Sequence, residues 1–151
     1  METDIKLLIV DDSVLYRKIL NDIFALLPGV KVVGKAKDGK DAIDQIKRLK
    51  PDMITLDVEM PIMDGIATLE RIKKNALSVA VIMVSALTKA GANTTMKALE
   101  LGALDFITKP DSTDMDRNRK HIESQLRPIL NIFKIKQRAQ RVVASAKRQE
   151  T

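Results

Sequence analysis

Five side chains in this sequence stand where they could do chemistry together: Asp11 and Asp12, Asp57, Ser85 and Lys109. Each closes an apolar run. Ile5-Lys6-Leu7-Leu8-Ile9-Val10 delivers the acidic pair, and Met53-Ile54-Thr55-Leu56 delivers Asp57. Val79-Ala80-Val81-Ile82-Met83-Val84 delivers Ser85, and Asp105-Phe106-Ile107-Thr108 delivers Lys109. Such runs read as buried parallel strands, and open α/β sheets bind ligands beyond the carboxyl ends of their strands. Carboxylates gathered there repel by about 4 kcal/mol per pair at about 4 Å and an effective dielectric near 20. A fold keeps them together when a cation sits among them. Hard oxygen donors without nitrogen or sulfur point to Mg²⁺ retaining several waters. Asp12 and Asp57 are expected as side-chain ligands, with Asp11 close by or acting through water. A backbone carbonyl of the following turn, most simply that of Glu59, completes the set.

A carboxylate beside Mg²⁺, an ammonium and a hydroxyl is equipped to receive a phosphoryl group. Asp57 is the nucleophile. The cation and Lys109 stabilise charge on the phosphoryl oxygens, and Ser85 donates a hydrogen bond to one of them. The product is an acyl phosphate on Asp57, which hydrolyses readily and makes the mark transient.

The elements that must hold these groups alternate strand and helix five times. Ser13 caps a first helix whose residues Leu15, Ile19, Ile23 and Leu27 recur every four positions, and Pro28-Gly29 ends it. Val30-Lys31-Val32-Val33 is a second strand. Asp38-Gly39 opens a helix burying Ala42, Ile43, Ile46 and Leu49, and Lys50-Pro51 stops it. Asp64-Gly65 starts a third helix with Ile66, Leu69 and Ile72 inward, and a fourth lies between Gly91 and Gly102, carrying Met96 and Leu99. Parallel strands joined by helices need cover on both faces, so the fold class is α/β, a doubly wound five-stranded parallel sheet. Right-handed crossovers leave few strand orders. One of them, 2-1-3-4-5, known from flavodoxin-like folds, sets the ends of strands 1 and 3 side by side. After Pro110 the chain reads as one long helix or two, with an apolar stripe of Ile122, Leu126, Ile129 and Phe133 beside Leu130; Pro128 is expected to bend it or mark a fresh start.

Composition narrows the function classes. The chain of 151 residues suits one domain. It has no cysteine and a single histidine, His121, which removes thiolate and His-rich metal sites and leaves few routes to triad hydrolysis. No apolar run approaches the roughly 18 residues of a membrane span, and Met1-Glu2-Thr3-Asp4 lacks the form of a signal peptide. A cytoplasmic setting without membrane contact is the expectation. The net charge of +6 is unevenly placed: residues 1–114 hold 16 basic and 17 acidic side chains, residues 115–151 hold 10 and 3. The basic character therefore belongs to the tail, most simply as a solvated helix face or linker. Nucleic acid is disfavoured, because the tail's one aromatic residue, Phe133, belongs to the apolar stripe and no helix-turn-helix follows.

Together, Asp11-Asp12, Asp57, Ser85 and Lys109-Pro110 resemble the receiver domain of two-component response regulators over about residues 4–128, leaving 129–151 as a basic helical extension or linker. Leu56-Asp57-Val58-Glu59-Met60-Pro61, Met83-Val84-Ser85-Ala86-Leu87-Thr88 and Ala98 to Phe106 are similar to the receiver of the chemotaxis protein-glutamate methylesterase family. So is a slightly longer loop from Ala86 to Ala90. The resemblance implies phosphorylation of Asp57 by a sensor histidine kinase, Mg²⁺ as cofactor, and Phe106 as a switch residue that turns inward. That family also carries a serine, histidine and aspartate esterase domain with a glycine-rich turn. Here no glycine follows Gly102 and the only histidine lies in the basic helix. The chain therefore reads as the regulatory part of such an enzyme, with a covalently linked output domain, or as a free-standing regulator acting on a downstream protein. In the second case the tail docks on another protein or pairs with its own copy as a homodimer through Val142, Val143 and Ala146.

Blander readings apply to single residues. Asp11-Asp12 alone would be a helix-capping turn, Ser85 a strand-end hydroxyl, and Phe106 a core side chain. The Glu59 side chain reads as solvated, Asp64-Gly65 as a cap, and His121 as a surface residue. A haloacid-dehalogenase-like phosphatase also uses an aspartyl phosphate, but it needs a second aspartate two residues on, where Glu59 stands.

Overall fold

A computed structural model describes residues 4–86 and 89–150. Five strands, β1 (Ile5–Val10), β2 (Val30–Ala36), β3 (Met53–Asp57), β4 (Ala80–Ala86) and β5 (Asp105–Lys109), form one sheet in the order β2-β1-β3-β4-β5. Every pairing is parallel. Alternation of side chains along each strand splits the core in two. Ile5, Leu7, Ile9, Met53, Ile82 and Val84 face α1 (Val14–Leu26) and α5 (Met115–Glu150). Leu8, Val10, Ile54, Leu56, Val81 and Met83 face α2 (Gly39–Leu49), α3 (Gly65–Lys74) and α4 (Lys89–Glu100). The central strand β3 is buried throughout, as an apolar run between two helical layers must be.

Helix starts follow the expected caps. Ser13 accepts from the Tyr16 amide, Asp38 from the Asp41 amide and Asp64 from the Ala67 amide. Three details differ from the sequence expectation. Leu15 is 53% exposed, while Ile19, Ile23 and Leu27 of the expected stripe are buried together with Leu20 and Phe24. A step of four residues overshoots a full turn by about 40°, so a stripe of three such steps drifts about 120° off the face. The second strand runs on to Ala36, because a bulge after Leu7 shifts its register so that Leu8 pairs with Gly34. The fourth helix starts at Lys89, ahead of Gly91, and Met96 on it is 60% exposed while Thr95 and Ala98 are buried. The Leu87 and Thr88 part of the expected longer loop lies outside the described residues.

Of the two readings of the tail, the structure has the single one: α5 is one helix of 36 residues that passes through Pro128 without a second start. Pro128 and Ser124, the residue whose carbonyl loses its helical partner, both reach the surface, so water can satisfy that carbonyl. Ile122 and Leu126 before the proline and Ile129 and Leu130 after it are all in the core, and Phe133 packs against it. Lys134 donates to the Pro28 carbonyl and Arg119 pairs with Asp22, fastening α5 along α1. His121 is exposed, as its place on the basic face suggested.

Candidate phosphoryl and metal site

Strand register assembles the site. Val10 pairs with Leu56, so the next residues, Asp11 and Asp57, emerge as neighbours. Asp57 pairs with Val84 and Ala86 with Lys109, which brings Ser85 and Lys109 to the same edge. Asp12, Asp57, Glu59, Ser85 and Lys109, with Val58, Met60, Ala86 and Gly91, line a cavity of about 440 Å³. The turn after Asp57 is tight: the Gly65 amide donates to the Val58 carbonyl, and a Cβ at Gly65 would stand 2.5 Å from the Asp57 carbonyl oxygen.

One carboxylate oxygen from each of Asp11, Asp12 and Asp57 lies within 4.8 Å of the others. Asp11 and Asp57 are buried, whereas Asp12 is exposed at the rim. The Lys109 ammonium sits 2.9 Å from Asp11 Oδ2 and 3.2 Å from Asp57 Oδ2. That ammonium is the cation facing the buried Asp11 Oδ2, which has no other partner among the described residues. Burial, then the Asp11 charge, pushes the Asp57 carboxyl up to about 7, against the pull of Lys109 and of the Glu59 amide. Burial alone would lower the Lys109 ammonium. The charges of Asp11 and Asp57 outweigh it and hold Lys109 above its ordinary value.

These observations fit a hard divalent cation. The donors are all oxygens, three carboxylates converge with a single ammonium between two of them, and a buried carboxyl resists ionising until more positive charge arrives. Mg²⁺ at Asp11, Asp12 and Asp57 would meet all three conditions. Glu59 is exposed at the cavity wall and its amide donates to Asp57 Oδ1 at 3.4 Å. Ser85 is 3% exposed and shares a 3.1 Å hydrogen bond with Thr95 on α4. Phe106 on β5 does not line the cavity and is 40% exposed.

Two contributors escaped the sequence reading. Thr95 holds Ser85, and Tyr16 places its ring 4.3 Å from the Lys109 nitrogen, its hydroxyl donating to the Pro110 carbonyl. Tyr16 is the sole tyrosine and stands one turn after the acidic pair, which was the available signal. Nothing in the spacing of Thr95 from Ser85 pointed to their contact.

The family model for the response regulator receiver domain matches residues 7–122. A protein-glutamate methylesterase/protein-glutamine glutaminase of Desulfotalea psychrophila is 44% identical over 133 residues, covering 88% of this chain and 36% of that protein. Its counterpart in Pyrococcus horikoshii is 47% identical over 139 residues, covering 92% of this chain and 36% of the relative. The chain thus spans about a third of the length of these relatives. Among solved structures, the response regulator domain of Thermotoga maritima CheB superposes with a TM-score of 0.73 at 45% identity, over 85% of this chain and 97% of that one.

Proposed function

This chain belongs to the response regulator receiver domain family, and from that premise we propose that Asp57 accepts a phosphoryl group with Mg²⁺ bound by Asp11, Asp12 and Asp57. The observation that carries the reading is the Lys109 ammonium set between two buried carboxylates, Asp11 and Asp57, of which Asp57 lines one cavity with Asp12, Ser85 and Lys109. A sensor histidine kinase is the phosphodonor, and small acyl phosphates substitute for it. Asp11, Asp12 and Asp57, with the backbone carbonyl of Glu59, would hold Mg²⁺, which would neutralise charge on the phosphoryl oxygens. Asp57 attacks phosphorus through a carboxylate oxygen, an O–P bond forms, and the donor's N–P bond breaks with the electron pair leaving on nitrogen. Lys109 holds Asp57 in place beforehand and offsets the added charge afterwards.

The output is a shift between two conformations. Ser85 shares its hydroxyl with Thr95; a hydrogen bond to a phosphoryl oxygen replaces that contact and loosens α4 from the end of β4. Phe106, partly exposed, turns inward in the phosphorylated state. The shift can be no larger than the phosphoryl group's differential interaction with the two states. By likeness to its relatives, the chain is the regulatory part of a chemotaxis methylesterase, cytoplasmic, with residues after about Lys134 leading to an output domain. None of the described helices is long and apolar enough to cross a membrane.

The test is incubation with acetyl phosphate and Mg²⁺ followed by intact-mass measurement. A single phosphoryl adduct is expected, absent in Asp57→Ala and absent when Mg²⁺ is chelated. An adduct that persists undiminished in Asp57→Ala refutes the assignment.

A further inference from the structure

From its midpoint onward α5 carries a second apolar stripe. Ile132, Ile135, Ala139, Val142 and Ala146 advance by three, four, three and four residues, the spacing of the a and d positions of a coiled coil. This stripe is distinct from the one that packs on the sheet. Ile132, Ile135 and Val142 are 55%, 64% and 68% exposed, and every residue from Arg138 to Gln149 is exposed. The stripe begins at a groove of about 200 Å³ between β5 and α5, lined by Leu104, Ile129, Ile132 and Phe133, with Asp105 and Lys136 as its two charged residues, where a partner's apolar side chain could seat. A helical segment of about 16 residues has marginal stability in water by itself. An apolar seam along it marks a face made to be covered.

Charge selects what covers it. Between Glu123 and Glu150 the chain has seven Lys and Arg residues and no acid. In the heptad frame of Ile132 and Ile135, Lys136 and Arg138 flank the seam, with Arg141 and Lys147 further round the same helix. A second copy would bring two fields of the same sign together, and like charges along a helix pair are unfavourable. A lipid surface calls for bulkier apolar side chains than the valines and alanines present beyond Ile135.

We infer that residues 132–146 form a docking track for an acidic amphipathic helix. The partner helix packs its own a and d side chains on Ile132, Ile135 and Val142 and sets carboxylates against the flanking cations. The track stands apart from the Asp57 cavity, so it does not depend on phosphoryl transfer.

The probe is a fluorescein-labelled peptide of about four heptads, with isoleucine at a, leucine at d and glutamate at e and g. It repels itself and so remains free to pair with a basic helix. Anisotropy titration into the full chain is expected to show saturable binding of one peptide per chain. Ile135→Glu and Val142→Glu, at exposed positions, are each expected to weaken it by at least about tenfold with unchanged circular dichroism. Raising salt from about 0.05 M to 0.5 M is expected to do the same, through screening of the flanking charges. A matched peptide with lysine at e and g should not bind. The inference is overturned by absence of saturable binding, by binding indifferent to both variants, by self-association in sedimentation that excludes the peptide, or by tighter retention on anionic phosphatidylserine vesicles than on the peptide.

Discussion

Replacing Asp57 by asparagine should stabilise the metal-free protein, although it removes a partner of Lys109. The folded state holds the Asp57 carboxyl at about 7, against 3.8 in the unfolded chain. Between these values the folded protein keeps a proton that the unfolded chain has lost, so stability falls as pH rises from about 4 to 7 and stays low above it. At about 1.4 kcal/mol per pH unit, ionised Asp57 costs on the order of 4 kcal/mol above pH 7. The neutral carboxamide of Asp57→Asn abolishes that cost. The value near 7 already includes the attraction of Lys109, which keeps Asp11 as a carboxylate partner, so the net gain should be on the order of 4 kcal/mol at most. The assay is urea denaturation with chelator at about pH 8, followed by circular dichroism because the chain has no tryptophan. The midpoint should rise with an unchanged m-value. The gap between variant and wild type should shrink as pH falls toward about 4.5, where Asp57 is neutral in the folded wild type. Equal stability at about pH 8, or a gap independent of pH, would refute the claim that buried charge at Asp57 strains the metal-free fold.

Mg²⁺ must displace the Asp57 proton below about pH 7, so affinity measured by calorimetry should fall by roughly tenfold per pH unit in that range, with proton release. Asp12→Ala should abolish most Mg²⁺ affinity while shifting metal-free stability by no more than about 0.5 kcal/mol, because Asp12 is exposed; unchanged Mg²⁺ affinity would remove this carboxylate from the site. Gly65→Ala improves helix propensity, yet its Cβ meets the Asp57 carbonyl at 2.5 Å. It should therefore destabilise by about 1–3 kcal/mol in thermal or urea unfolding, and a stabilised variant would show that the turn has room.

Much of the site was readable from the chain because its signals are local. Apolar runs ending in acids, a hydroxyl or an amine, each followed by a turn or cap, specify strand ends without knowledge of neighbours. The caps Ser13, Asp38 and Asp64 and the chemistry of an all-oxygen acidic cluster depend on sequence alone. Tertiary structure decided what depends on pairing and depth. Register between β1, β3, β4 and β5, a long-range property, made Asp11, Asp57, Ser85 and Lys109 neighbours. Helix rotation against the sheet exposed Leu15 and Met96, which periodicity alone placed no better than a stripe's drift allows. Packing on both sides of Pro128 decided between one helix and two, and kept α5 whole. Burial, a sum over every surrounding layer, raised the Asp57 carboxyl and joined Ser85 to Thr95, and no short window of residues encodes such a sum.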